Sequence, residues 1–322
     1  MRTGVSATAT PFGEGPTVDI ESVDPDLREA TRKVPIPDAS KAWMRAVIRL
    51  ATRVMPVPRT DEVNVSTATT GSTRLRLYQP NDRHGDSGLL WVHGGGLLFG
   101  DARQDEALCA ETASELGITI VSSNYRFAPE HPFPAALDDV HSAWEWLQQH
   151  AADLGLDPTR VVVGGESAGA GLAASLVQRL HDEGGVQPIA QWLFAPMIDD
   201  RTAADESLDA VEHWVWNNRA NRVGWTGYLG FPPSTAVQPP NYAAAARRTE
   251  LSGLPPAYIA VGDIELFFAE DSDYAERLQK AGVSTTLDVI PGAPHGFENW
   301  ARDSVPARAL MLRAWNWLGG IL

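Results

Sequence analysis

Ser167 lies between two glycines in the stretch GESAG, residues 165–169. Three valines before it favour a strand, and the run GLAASLVQRL after it favours a helix. A serine on such a strand–turn–helix junction presents its hydroxyl at the carboxyl end of a sheet, and flanking glycines avoid side-chain clashes there. Because a G-x-S-x-G match alone also occurs by chance, the inference rests on the predicted strand before the serine and the predicted helix after it. The stretch predicts a nucleophilic serine.

A serine hydroxyl needs a base to accept its proton, and that base is usually histidine. Enzymes that present a serine on such a junction have their histidine downstream of it, which leaves His181, His213 and His295. His181 ends the helix after the serine, and His213 lies among tryptophans. His295 follows a predicted strand in the Pro/Gly-rich stretch PGAPHGF. Because such a loop can fold over the edge of a sheet, His295 is the predicted base.

An acidic residue must orient the imidazole and stabilise its charged form. Asp263 and Glu265 both follow the apolar run AYIAVG, where a loop after a strand would place the acid. Glu270 and Asp271 are expected to begin the next helix, because acidic side chains stabilise the positive end of a helix dipole. Spacing alone leaves Asp263 and Glu265 as alternatives.

Hydrolysis at a serine also needs donors for the negative charge that develops on the carbonyl oxygen. Gly94, Gly95 and Gly96 follow His93 directly after the apolar run LLWV. Since glycine permits close approach of the backbone, the N–H groups of Gly94 and Gly95 are predicted to form an oxyanion hole with the N–H of Ala168. His93 is expected to hold this loop through hydrogen bonds rather than to transfer protons.

The predicted functional residues lie at the ends of predicted strands. Short apolar runs alternate with segments of helical periodicity, which is typical of a mostly parallel sheet covered on both faces. The predicted strands are residues 89–94, 118–125, 160–165, 191–198, 257–262 and 284–290, preceded by two β-like runs within 62–80. The stretch 200–255 breaks the alternation, and its length favours a lid or cap element over a structureless loop. The predicted fold class is α/β.

Residues 1–60 precede the sheet and contain one clear amphipathic helix, KAWMRAVIRLATRVM. Its apolar stripe consists of Trp43, Val47, Leu50 and Val54. Its basic residues recur every four positions, at Lys41, Arg45, Arg49 and Arg53. A basic stripe of this kind also suits contact with a membrane surface or an anionic ligand. In an acidic chain, however, such a helix is expected to pack its apolar stripe on the protein body and to leave the arginines in solvent.

The 322-residue chain carries a net charge of −15, with an isoelectric point near 4.9. This charge repels phosphate backbones and anionic lipid surfaces, so nucleic acid is not an expected partner. Because the chain lacks an apolar stretch of about 18 residues and MRTGVSATATPFGEGP lacks the apolar core of a signal peptide, we expect a cytoplasmic protein without stable membrane insertion. Cys109 is the only cysteine, which excludes a disulfide within the chain, and it is expected to be buried.

Four motifs together carry a resemblance to one family. They are HGGG at 93–96, YRFAPEHPFPAALDDV at 125–140, GESAGAG at 165–171 and PHGF at 294–297. From about residue 60 onward, the chain resembles the bacterial hormone-sensitive-lipase family of esterases (family IV) in the α/β-hydrolase superfamily. The resemblance implies an α/β-hydrolase domain over 61–322, with a helical cap built from residues 1–60 and an insertion at about 200–255. It also implies hydrolysis of carboxylic esters, usually of short acyl chains, without a cofactor or metal, and pairing into a homodimer through edge strands.

The resemblance also bears on individual charged residues. The family's third catalytic residue stands three positions after the glycine that ends the strand, which is Glu265 here, although aspartate is usual there. Glu166 likewise stands where aspartate is commoner, and it is expected to support the serine turn by reaching the segment 125–126. Arg126 and Glu130 resemble a structural network beneath the HGGG loop.

Together these residues predict a serine carboxylesterase that hydrolyses short-chain acyl esters through an acyl-enzyme on Ser167, with His295 as base. The expected partner is a small-molecule ester. A thioesterase or amidase uses the same parts, and a non-catalytic ligand-binding protein on this fold is a further alternative. The presence of His295 argues against the ligand-binding protein, and the lack of propeller-like repeats argues against a related peptidase.

Overall fold

The computed structural model describes residues 17–35, 38–57 and 61–322. The stretch MRTGVSATATPFGEGP, for which no signal peptide is predicted, lies outside these ranges, as do other parts of the predicted cap segment 1–60. The described chain contains the strands β1 (Val63–Thr70), β2 (Thr73–Pro80), β3 (Gly88–Val92), β4 (Thr119–Ser123), β5 (Val161–Glu166), β6 (Gln191–Phe194), β7 (Ala257–Gly262) and β8 (Thr285–Ile290). These eight strands form one sheet in the order β1-β2-β4-β3-β5-β6-β7-β8.

Most of the sheet is parallel. Strand β2 pairs antiparallel with β1 and β4, and all neighbours from β4 to β8 pair in parallel. The predicted mostly parallel α/β sheet is therefore confirmed. One predicted strand, 191–198, ends early at Phe194, because Ala195 has a φ of 42° and Pro196 has no N–H to donate to a ladder.

Helices cover both faces of this sheet. In the described ranges they are α1 (Arg28–Thr31), α2 (Ala42–Val54), α3 (Glu106–Leu116), α4 (Ala135–His150), α5 (Ala168–Glu183), α6 (Asp200–Ala204), α7 (Asn218–Leu229), α8 (Phe268–Lys280), α9 (Phe297–Trp300) and α10 (Val305–Gly319). None of these helices has the length and apolar character needed to cross a membrane.

Alternate side chains of the central strands enter two apolar cores, as the two-residue period of a strand requires. In β3, Leu90 and Val92 pack with α4 and α5, whereas Leu89 and Trp91 pack with α3 and α10 on the other face. Cys109 is fully buried in the second core, as predicted. Because both faces are covered, the carboxyl ends of the parallel strands are the places where functional side chains gather.

Helix α2 packs the other way round from the prediction, with its apolar stripe facing outward. The outward side chains, each more than half exposed, are Trp43, Val47, Leu50 and Val54. Arg45 is buried instead and donates to the carbonyl oxygens of Ala39 and Ser40, at 2.9 and 3.0 Å. The inward face of this helix therefore carries a guanidinium group whose N–H donors are satisfied by backbone carbonyls.

Arg49 fastens α2 to loops at the carboxyl end of the sheet. Its Nε donates to Leu98 O at 2.8 Å, and its Nη2 donates to Ala128 O and to the Glu130 carboxylate, both at 2.9 Å. The guanidinium also lies 5.1 Å from the centre of the Phe127 ring. The expectation of solvated arginines is therefore wrong for this face of the helix.

The stretch 200–255 contains α6, α7 and two short 3₁₀ helices. Trp225 and Tyr228 are buried in it, with ring centres 6.0 Å apart. Helix α7 lies on the glycine loop that follows β3, since a Cβ built on Gly224 would be 2.7 Å from Gly96 O. The insertion therefore contacts the loop predicted to bind the oxyanion.

Candidate active site

Ser167 is the single residue between β5 and α5. Its φ of 55° and ψ of −121° lie outside the regions that residues with side chains normally adopt. Ser167 N donates to Phe194 O at 2.8 Å, and Ser167 O accepts from Met197 N at 3.0 Å. These bonds hold the strained turn and keep the hydroxyl at the carboxyl end of the sheet.

Two glycines make this turn sterically possible. A Cβ on Gly165 would lie 2.6 Å from Val92 O, and one on Gly169 would lie 2.1 Å from the same oxygen. Since side-chain carbons do not approach a carbonyl oxygen so closely, alanine at either position would force β3 and α5 apart. These distances give the physical reason for the glycines in the sequence motif.

His295 lies in the loop after β8, and its imidazole reaches Ser167. The Nε2 atom is 2.8 Å from Ser167 Oγ, which is hydrogen-bond distance. Trp300 Nε1 donates to His295 O at 3.0 Å, and Phe267 packs edge-on against the imidazole with ring centres 5.3 Å apart. The two aromatic side chains fix the position of His295, which is only 6% exposed.

The structure distinguishes between Asp263 and Glu265, the two carboxylates that spacing along the chain leaves as alternatives. Glu265 is buried and accepts a hydrogen bond from His295 Nδ1. Asp263 is exposed and accepts from Gly292 N at 2.7 Å. Because the chain turns tightly between β7 and α8, side chains two positions apart point in different directions. Only Glu265 therefore contacts the imidazole.

His93 lies against the glycine loop and not against the serine. Its Nδ1 donates to Gly94 O at 2.7 Å, and its ring stacks on Tyr125 with ring centres 4.5 Å apart. Burial lowers the pKa of His93 to about 4, so the imidazole is neutral at neutral pH. A neutral, stacked ring is suited to holding the loop.

Two of the three residues predicted to bind the oxyanion, Gly94 and Ala168, are direct neighbours of the serine, and Gly95 follows Gly94. A Cβ on Gly94 would be 3.4 Å from Ser167 Cβ, so this backbone is in contact with the serine. Gly95 has a φ of 117°, and a Cβ there would be 2.0 Å from Phe99 O. Ala168 is the first residue of α5, where N–H groups lack an acceptor within the helix and the helix dipole is positive. The arrangement suits an anion beside Ser167 Oγ.

The indole of Trp216 packs on the glycine loop from the side of the insertion. A Cβ built on Gly96 would lie 2.1 Å from Cη2 of Trp216, so the ring and the loop backbone are in contact. Trp216 is 8% exposed, and its Nε1 is buried without a hydrogen-bond partner among the described residues. The preceding Val215 has a φ of 69°, which is unusual for a β-branched residue. This strained junction directs the indole onto the loop.

Three buried carboxyl groups, which sequence reasoning did not bring together, lie behind the serine and histidine. They belong to Asp105, Glu166 and Glu298. Asn299 Nδ2 donates to Glu166 Oε2 and, at 3.4 Å, to Asp105 Oδ1. Trp91 Nε1 donates to the other Asp105 oxygen at 2.7 Å. Asn299 thus ties the strand that carries the serine to the helix after His295.

Burial away from water disfavours ionisation of all three carboxyl groups. It raises the pKa of Asp105 and that of Glu298 to about 7, and the pKa of Glu166 well above its usual value. Repulsion from neighbouring carboxylates adds to the rise for Glu166 and Glu298. The cluster therefore retains protons near neutral pH, directly behind the imidazole.

Two expectations about supporting residues need correction. Glu166 does not reach the segment 125–126, because its carboxylate is hydrogen-bonded by Asn299. Arg126 forms an ion pair with Asp139, at 2.9 Å, rather than a network beneath the HGGG loop. No sequence pattern marks Asn299, since its partner is distant along the chain.

Comparisons with known proteins agree with this geometry. A family model described as the alpha/beta hydrolase fold matches residues 89–299. The chain is 36% identical to the carboxylic ester hydrolase LipN of Mycobacterium tuberculosis, over 81% of this chain and 70% of LipN. It is 31% identical to the carboxylesterase NlhH of the same organism, over 91% of this chain and 94% of NlhH. The solved structure of a bacterial heroin esterase aligns with a TM-score of 0.85 and 32% identity, over 94% of this chain and 99% of that protein.

Proposed function

Because the chain belongs to the alpha/beta hydrolase family, and within it to the hormone-sensitive-lipase-like carboxylic ester hydrolases, we propose that it cleaves short-chain acyl esters through an acyl-enzyme on Ser167. Family membership supplies the reaction, the hydrolysis of an ester. The nucleophile and the order of steps are inferred from this chain's own geometry. The observation that carries the proposal is the unbroken line of contacts from Ser167 Oγ through His295 to Glu265.

The first half of the reaction is attack by the serine. As Ser167 Oγ attacks the carbonyl carbon, His295 Nε2 accepts its proton. Glu265 accepts the hydrogen bond from Nδ1, holds the imidazole in the required tautomer and stabilises the imidazolium that forms. The carbonyl oxygen becomes an oxyanion in the tetrahedral intermediate.

The second half releases both products. The N–H groups of Gly94, Gly95 and Ala168 donate to the oxyanion, and one such donor is worth about 10²-fold to 10³-fold in kcat in serine hydrolases. When the intermediate collapses, the alcohol leaves with the proton from His295. Water then attacks the acyl carbon with His295 again as base, which releases the carboxylic acid and restores Ser167.

The segments proposed as a cap, residues 1–60 and about 200–255, both contact the loop after β3. Arg49 of α2 bonds to Leu98 O, and α7 and Trp216 contact Gly96. The indole of Trp216 contacts Gly96, the residue that follows the proposed oxyanion donors Gly94 and Gly95. A large ring packed on this loop supports short acyl chains as the preferred substrates.

Replacing Trp216 by alanine should shift the acyl preference towards longer chains. The substitution removes the ring that contacts Gly96 and opens space beside the serine. In a series of p-nitrophenyl esters, we expect the ratio of kcat/KM for octanoate over acetate to rise by about tenfold or more. The control is Trp214→Ala, because the Trp214 indole donates to Val18 O at 3.0 Å and lies apart from the loop. A ratio that stays the same in Trp216→Ala would exclude this residue as the limit on chain length.

A fluorophosphonate should modify Ser167 selectively. Such a reagent reacts with a serine hydroxyl that a neighbouring base activates. We expect one adduct per chain, on the peptide that contains Ser167, and greatly slowed labelling in His295→Ala. Mass spectrometry of the digested protein locates the adduct. Modification at another serine, or equal labelling rates with and without His295, would refute the proposed nucleophile and base.

A further inference from the structure

Helix α9 directs three consecutive side chains towards the back of the site. Trp300 donates to His295 O, and Asn299 donates to Glu166. The third side chain, Glu298, takes no part in the mechanism described above. It is 5% exposed, and its Oε1 is buried without a hydrogen-bond partner among the described residues. A buried carboxyl oxygen without a hydrogen-bond partner destabilises the folded state, so its presence calls for a physical explanation.

Glu265 has a matching bare oxygen. Its Oε2 accepts from His295 Nδ1, whereas its Oε1 is buried and has no partner in the described chain. Glu265 and Glu298 line the same small cavity, of about 10 Å³, which apolar side chains such as Phe194 and Leu310 also line. A space of this size holds about one water molecule. The two carboxyl oxygens are the polar partners that such a water requires.

We propose that Glu298 is a positioning residue of the catalytic centre, which acts on Glu265 through one water molecule bound in this cavity. In its protonated form, Glu298 donates to the water, and the water donates to Glu265 Oε1. Both oxygens of Glu265 then accept a hydrogen bond, which holds the carboxylate aimed at His295. The inference rests on the proposed function and adds to it a residue that touches neither the substrate nor the imidazole.

Charged and titratable groups lie on two sides of Glu298. Asp105, Glu166, Glu265 and His295 interact with it electrostatically on its inner side. On its outer side, the groove between α3 and α10 is lined by the charged residues Glu111, Arg302, Asp303 and Arg308. Burial, with repulsion from Glu265 and Asp105, raises the pKa of Glu298 to about 7, so the donor form is present at and below neutral pH.

Two substitutions separate the hydrogen-bond donor from the charge. Glu298→Gln keeps a donor and removes ionisation, whereas Glu298→Leu removes both. Hydrolysis of p-nitrophenyl acetate, followed at the isosbestic wavelength of the phenol, gives kcat and KM from about pH 5 to pH 9. We expect Glu298→Leu to lose about tenfold in kcat at unchanged KM, because it leaves a buried acceptor on Glu265 unpaired. Glu298→Gln should keep kcat within about twofold near pH 6.

The pH profile distinguishes this role from a merely structural one. In the wild type, ionisation of Glu298 near pH 7 adds a negative charge that interacts electrostatically with His295, and Glu298→Gln lacks this charge at every pH. The acid limb of kcat/KM should therefore move to lower pH by about half a unit in Glu298→Gln. Glu111→Gln is the matched control, since it makes the same change at an exposed carboxylate that pairs with Arg302. It should leave the profile where it is.

Thermal stability tests the buried ionisation without reference to catalysis. The pKa of Glu298 rises from 4.5 to about 7 on folding, so the folded chain binds more protons than the unfolded chain between these values. The stabilisation is complete below pH 4.5 and is lost as pH rises through about 7. The melting temperature of Glu298→Gln, relative to the wild type, should accordingly be higher at about pH 8 than at about pH 5.

Equal losses of kcat in Glu298→Gln and Glu298→Leu would overturn the proposal, because the amide donor would then fail to replace the carboxyl. Wild-type kcat and an unshifted profile in both would overturn it as well. If Glu298→Leu does not fold, the shifted acid limb of Glu298→Gln decides alone. Fluorophosphonate labelling of Ser167 in these variants shows whether the proposed nucleophile still reacts, which keeps a failure of this inference distinct from a failure of the proposed function.

Discussion

Ser167→Ala should lower kcat for ester hydrolysis by about 10⁴-fold or more. In the proposed mechanism, the Ser167 hydroxyl supplies the atom that becomes acylated, and it is the hydroxyl that contacts the His295 imidazole. The substitution removes a 2.8 Å hydrogen bond to His295, which is worth about 1 kcal/mol in stability. The fold should therefore persist, and the loss should appear in steady-state rates with p-nitrophenyl acetate while the melting temperature changes little.

Ser175→Ala is the matched control for this experiment. Ser175 lies in α5, the helix that begins directly after Ser167, and is only 2% exposed, so the two variants lose the same atom from buried positions. We expect Ser175→Ala to hydrolyse the ester at close to the wild-type rate. Similar activities for the two variants would mean that a different residue is the nucleophile.

Glu265→Gln should lower kcat by about 10³-fold to 10⁴-fold. Glutamine has nearly the same shape but no charge, so in the proposed mechanism the imidazolium would lose its buried counter-ion, and the required tautomer would no longer be enforced. The KM should change far less, because Glu265 contacts the histidine and not the substrate. Rates measured with saturating ester give kcat directly.

Asp263→Asn tests the second candidate for the acid, which spacing along the chain did not exclude. Asp263 is exposed and accepts from Gly292 N, and asparagine retains an oxygen for that bond. Its kcat should therefore stay near that of the wild type. Glu265→Asp keeps the negative charge but shortens the side chain by one methylene. It therefore tests whether the length of the side chain matters in addition to its charge. If Asp263→Asn costs more than Glu265→Gln, the assignment of the acid must be reversed.

Helix α2 shows where pattern reasoning from the sequence reached its limit. Periodicity correctly predicted a helix that ends before Pro56. It also predicted an inward apolar stripe, yet the buried face carries Arg45 and Arg49. An amphipathic pattern identifies two faces of a helix, but the carbonyl oxygens available on the surface beneath it select the face that is buried.

The local sequence was sufficient to predict the order of the functional segments along the chain. HGGG comes first, a strand, a strained serine turn and a helix follow, and PHGF comes last. Such features depend on backbone geometry within a few residues, so short motifs encode them.

The contacts of the site join residues far apart in the chain: Ser167 and His295 are 128 positions apart, and Glu166 and Asn299 are 133 apart. Packing of the loops at one edge of the sheet therefore determines that Glu265 faces the imidazole, that Asn299 supports Glu166 and that Glu298 shares a cavity with Glu265. The spacing of motifs along the chain does not predict these contacts, because they depend on how separate elements pack in space.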